Sequence, residues 1–171
     1  MAQEKKLALP FLLGLLLAPS SARAHGIPYG VPSDQTGISV GPQLSYNFAS
    51  NGRKAVGYGA DFAYVSIPLW GGGGFKLSHG DDVIVSPYVE AGFWSLVNVG
   101  VGYALSFHGG DTDHNIHLFI GEPIPLNWID DAFMSETWGV MVEPYYRRTW
   151  RLDSDFRENE LGILIKFLFD L

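Results

Sequence analysis

Six charged residues stand in segments that otherwise carry few charges: Asp61, Lys76, Glu90, Glu143, Arg147 and Lys166. Each segment alternates bulky apolar residues with small or polar ones, and each charge falls on the small, polar side. Charges enclosed on such a face must pair. Glu143 and Lys166 sit on segments expected to be neighbours, with Arg147 close by and Asp61 or Glu90 facing them across an interior. A second group is His79, Asp81, Asp82, His108, Asp111, Asp113 and His114, in Gly- and Asp-rich stretches. Imidazole and carboxylate together can ligate a divalent metal. No spacing here matches a known site, and solvated polar loops are the plainer alternative. Third, Ser106-Phe107-His108 sets a hydroxyl two residues from an imidazole, with Asp111 or Glu122 as a possible orienting acid. A serine nucleophile needs a base in reach and a third group that orients the base. His117 suits an interior hydrogen bond better than a base. His25 would become the N-terminus of a processed chain, where its amine and imidazole could chelate copper; no other residue supports that chemistry.

The elements that position these residues begin after an export signal. Lys5 and Lys6 are followed by the apolar run 7–18 and the small-x-small site Ala22-Arg23-Ala24, the pattern of a cleaved signal peptide over 1–24. The run is too short to span a bilayer as a helix, and Pro10 interrupts it. There is no Cys, which excludes disulfides, thiolate chemistry and a lipid-modified Cys. Loss of Lys5, Lys6, Arg23 and Glu4 takes the formal charge from −7 to −9, a balance unsuited to nucleic acid. Residues 25–36 hold Pro28 and Pro32 and read as an irregular leader, so the folded domain is 37–171.

Within that domain eight segments alternate with period two: 37–48, 55–67, 72–78, 83–93, 97–107, 116–124, 137–151 and 160–170. The last is the clearest, with Leu161, Ile163, Ile165, Phe167, Phe169 and Leu171 on one face. A terminal strand of this kind leaves an apolar edge that must be paired, and closure against the first strand pairs it. Polar connections fall at 49–54, 79–82, 108–115 and 152–159, and shorter turns at 68–71 and 94–96; 125–136 is a longer link with room for a helical turn. Pro42, Pro87 and Pro144 lie inside predicted strands, where each should mark a bulge or an irregular edge.

Alternation alone fits a soluble, lipocalin-like carrier with an apolar inside, or a membrane barrel with an apolar outside. The polar face decides between them. It is made of Gly, Ser, Ala, Asn and Gln with single charges, whereas a water-washed surface would carry many Lys and Glu. Aromatics cluster near strand ends: Tyr46, Phe48, Tyr58, Tyr64, Trp70, Phe93, Tyr103, Phe107, Trp138, Tyr146, Trp150 and Phe169, as in the girdles of a membrane barrel. The expected fold is all-β, an eight-stranded antiparallel up-and-down transmembrane β-barrel.

With its export signal, eight alternating segments and aromatic terminal strand, the mature chain resembles the small bacterial outer-membrane β-barrels of the OmpA/OmpX type. The resemblance implies a Gram-negative outer membrane, both termini in the periplasm, and the connections 49–54, 79–82, 108–115 and 152–159 outside the cell. It implies assembly by the outer-membrane machinery, which reads terminal residues here matched by Phe167 and Phe169, while Leu171 departs from the usual final Phe. It also implies a monomer among outer-membrane lipids and lipopolysaccharide, whose phosphates Arg148 and Arg151 could contact. The expected role is structural or surface-interacting, with a plugged lumen, no cofactor and no catalysis. A small pore is one alternative. Another is a lipid A-modifying enzyme: outer-membrane deacylases carry His-x-Ser on one strand face, and here Ser106 and His108 stand in the reverse order with Ser106 turned inward.

Overall fold

The computed structural model describes residues 36–94, 97–135 and 137–171; the signal, His25 and the rest of the leader lie outside the described residues. Eight long strands form it: β1 (Thr36–Ala49), β2 (Lys54–Ser66), β3 (Leu69–His79), β4 (Val83–Phe93), β5 (Asn98–His108), β6 (Asp111–Gly121), β8 (Trp138–Arg151) and β9 (Arg157–Asp170). A two-residue strand β7 (Ile124–Pro125) and two 3-10 turns, Leu126–Trp128 and Asp131–Phe133, fill the link before β8. Sequential strands pair antiparallel, β1 pairs with β9, and β6 with β8, so the sheet closes on itself. Closure leaves no open edge.

The stagger of the barrel can be read from the register. A row of paired residues passes from Val40 through Phe62, Gly73, Val89, Tyr103, Ile116, Trp150 and Arg157 and meets β1 again at Ser50, ten residues beyond its start. A stagger of this size tilts the strands by roughly 35–45° from the barrel axis. Every row therefore climbs from the end that holds Thr36 and Leu171, the terminal end, toward the opposite, far end.

Polarity is inverted relative to a soluble protein. Val101 is 63% exposed, Ile163 49% and Phe167 41%, while Ser39 is 0% and Gln43 3% exposed. Apolar side chains thus stand outside and polar ones fill the interior, which removes the lipocalin-like alternative.

Several sequence expectations need correction. The third strand starts at Leu69 rather than at 72, which brings Trp70 into phase with Lys76 and into the lumen, edge-on to Phe119 at 5.9 Å. Trp70 is therefore not part of an outer girdle. The glycines at 71–74 carry no side chains from which that alternation could be read. The sixth strand starts at Asp111, so most of the expected loop 108–115 is sheet; only Gly109 and Gly110 turn the chain, both with positive φ, as a tight two-residue hairpin requires. The prolines make no bulge. Register is unbroken on one side of each: Pro42 faces Ala60, Pro87 faces Phe75 and Pro144 faces Ile163. On the other side the ladder skips them and resumes in the same register. A strand residue offers its N–H to one neighbour only, so a proline opens one side of the ladder without shifting it.

Candidate functional site

The charged lumen is the candidate site. Inward positions of all eight long strands converge there, and the strands on which charges sit are spaced around the wall. Arg147 on β8 is at the centre. Its guanidinium reaches across to Glu90 of β4 at 2.6 Å and sideways to Glu160 of β9 at 3.3 Å. Glu90 also meets the His117 imidazole at 2.8 Å, and Glu160 meets Lys76 of β3 at 2.5 Å. A chain of alternating charge, Glu90–Arg147–Glu160–Lys76, therefore crosses the barrel. Glu158 extends it toward the far end, 3.7 Å from both Lys76 and Arg53. Aromatic rings hold the guanidinium in place: Arg147 lies over Tyr88 at 4.7 Å and over Tyr145 at 5.2 Å. The two phenols are used again as donors, Tyr145 to Glu160 at 2.5 Å and Tyr88 to Asp61 at 3.0 Å.

Nearer the terminal end Lys166 pairs with Glu143 at 2.5 Å, and Asn98 donates to the other oxygen of that carboxylate at 2.5 Å. Trp70 and Trp94 flank the ammonium at 5.7 and 5.3 Å. Trp70 and Trp94 belong to a buried apolar cluster with Phe119, Met141, Leu164 and Leu168. The interior is thus a packed core with ion pairs built in.

Space for the tyrosine is built into β9. A Cβ on Gly162 would lie 2.6 Å from the Tyr145 hydroxyl, so any side chain there displaces the ring from Glu160 and Arg147. Gly162→Ala should destabilise the barrel by about 1–3 kcal/mol, as overpacking does, read as a lower urea midpoint in lipid vesicles.

All six charges singled out in the sequence, Asp61, Lys76, Glu90, Glu143, Arg147 and Lys166, are buried in the lumen. Glu160 is not singled out by the sequence reading, although it stands in phase with Lys166; nor are Tyr88 and Tyr145, whose hydroxyls complete the network, whereas His117, expected to make an interior hydrogen bond, lies 2.8 Å from Glu90. Asp113, expected in a loop, points inward from β6 and is held by His108 at 2.7 Å and Arg151 at 2.5 Å. Arg151 accordingly faces the lumen mouth rather than lipid, whereas Arg148 projects outward.

The metal candidates do not converge. His79 ends β3 and Asp81 lies in the turn after it; Asp111 opens β6; His108 faces inward to Asp113, while His114 faces outward and bonds the Tyr103 hydroxyl. Among the described residues no group of three or more His, Asp or Glu is placed to hold a metal. Ser106 and His108 share the inward face, but the Ser106 hydroxyl is engaged by Ser86 at 3.0 Å and Asn115 at 3.1 Å, while His108 is turned to Asp113. Phe167 and Phe169 lie exposed along the outer face of β9, and Leu171, just past its end, is exposed as well. A cavity of about 50 Å³ opens at the far end between Arg53, Ser86, Asp113, Arg151 and Glu158, and its lining includes Arg147. That is room for a few waters.

A closed antiparallel barrel with an apolar exterior and a salt-bridged interior is the architecture of a transmembrane β-barrel. No protein-family model and no curated protein sequence matches the chain. Among solved structures it is similar in strand path to neisserial surface protein A, at 13% identity and a TM-score of 0.49, covering 77% of this chain and 96% of that one. A barrel from work described as de novo design of transmembrane β-barrels is similar at 15% identity and a TM-score of 0.47, covering 80% and 98%.

Proposed function

We propose that this chain is an outer-membrane β-barrel with a structural or surface-interacting role, its lumen closed by the Arg147-centred network. The observation that supports it most is the inverted polarity. The outer faces of β1, β2, β4, β5 and β9 present Leu44, Phe62, Val89, Val101 and Ile163, a band that water would not tolerate and lipid would solvate. Export through the 1–24 signal and assembly through the terminal strand, with Phe167, Phe169 and Leu171, belong to the same proposal. The turns at the far end are short, Ser50–Arg53, Gly80–Asp82, Gly109–Gly110 and Leu152–Phe156, so a surface partner would meet an acidic rim rather than a folded loop domain. No catalytic role is assigned to Ser106, because its hydroxyl and the His108 ring are each committed to other groups.

Folding into detergent or vesicles should give a heat-modifiable band and β-type circular dichroism; a species that stays in solution without lipid or detergent contradicts the proposal. In planar bilayers the wild-type chain should show no steady conductance, since Arg147 and its carboxylates fill the cross-section. A stable open channel would favour the pore instead.

A further inference from the structure

The outer surface carries one place where charge and an apolar depression meet. Arg148 projects outward from β8, in the row that links Ala91 of β4, Val101 of β5, Leu118 of β6 and Asn159 of β9. Its guanidinium lies over the Trp150 ring at 5.5 Å. Its Nε is buried and has no hydrogen-bond partner, and it forms no ion pair among the described residues. Arg157, one strand along and beside Trp150, also points outward. No acidic side chain shares the outer faces of β6, β8 and β9 at this level. A cation on a lipid-facing wall with no ion-pair partner among the described residues is best neutralised by an anion from the surroundings.

The same row supplies the rest of a binding site. An open apolar depression runs over Ala91, between Val89, Val101, Tyr103, Leu118 and Trp150. Ala91 is small where its neighbours are large, which makes the floor. Rows climb by roughly 3 Å per strand in a barrel of this tilt, so the row through Ala91, Val101 and Leu118 rises to Arg148, which stands beyond the lining of the depression and joins it through Trp150. That is the shape of one lipid, with acyl chain below and headgroup at the rim. A guanidinium donates two parallel hydrogen bonds to a phosphate.

We propose that Arg148, backed by Trp150 and Arg157, binds the phosphate of a lipid A-type glycolipid whose acyl chain lies in the depression over Ala91. The proposal rests on the outer-membrane reading, which sets the far end in the leaflet where such lipids reside. The test uses the full folded barrel in detergent and native mass spectrometry, with diphosphoryl lipid A as the probe and phosphatidylglycerol and inorganic phosphate as competitors. Wild-type protein should retain lipid A. Arg148→Gln should weaken retention by about tenfold or more, the worth of a charge-assisted hydrogen bond. Ala91→Phe, which fills the depression and leaves every charge in place, should weaken it several-fold. Both variants should keep the heat-modifiable band. Retention unchanged in either variant overturns the site. Equal retention of phosphatidylglycerol overturns the lipid named, and displacement by millimolar inorganic phosphate overturns the role of the acyl groove. Failure of the wild type to enter vesicles at all, scored separately by flotation, sinks the membrane reading itself.

Discussion

Arg147→Met is expected to lower the folding free energy by about 3–5 kcal/mol, the cost of leaving buried carboxylates without their cation. Two are left at once. Glu90 would retain only the His117 ring, and Glu160 would keep Lys76 and the Tyr145 hydroxyl. The rings of Tyr88, Tyr145 and Phe119, the last 5.7 Å from the guanidinium, would also lose their central partner. Arg147→Lys should fall between the two, since one ammonium cannot reach both carboxylates with the planar fork of a guanidinium. Urea unfolding in lipid vesicles, followed by tryptophan fluorescence, reads the change directly, because Trp70 and Trp94 are buried in the same lumen. An unchanged midpoint for Arg147→Met would mean that water enters and solvates both acids, and the plugged lumen would have to be given up.

Ile163→Arg is the second large effect expected. Ile163 is midway along the outer face of β9, flanked by Leu44 on β1 and Pro144 on β8. An arginine near the bilayer midplane costs about 2–4 kcal/mol of barrel stability. On a water-washed barrel the same exchange would be nearly neutral, as most exposed substitutions are. One variant, measured once in bilayers by reversible denaturation, therefore separates lipid from water as the solvent of this face. A cost below about 0.5 kcal/mol would contradict the membrane reading.

Period two was legible wherever the two faces differ in bulk. β1 and β5 can be placed from alternate residues alone, because Val, Ile, Leu and Phe alternate there with Gly, Ser and Asn; in β9 the outer file from Leu161 to Phe169 does the same, but the strand starts at Arg157 rather than at 160, where Arg157, Glu158 and Asn159 are all polar. β3 reads short in the sequence because Gly71 to Gly74 give neither face a side chain. β6 reads as starting late for a different reason. Its inward residues Asp113 and Asn115 belong to the polar lumen, and its outward Thr112 and His114 stand near the far rim, so both faces are polar and alternation vanishes. Nothing local distinguishes such a strand from a loop.

The sequence by itself determined the alternation, the absence of cysteine, and the parity that sets six charges on one face; these are local properties of spacing and residue type. Apart from Glu143 and Lys166, which stand on neighbouring strands and pair there, which cation meets which carboxylate was decided only by the closed barrel. Its ten-residue stagger brings Glu90 of β4 opposite Arg147 of β8, and Lys76 of β3 opposite Glu160 of β9. The same stagger lines up Ala91 with Arg148 on the outer wall. Those pairs lie on strands that are not neighbours in the sheet, and their meeting depends on tilt and curvature, which no window of sequence contains.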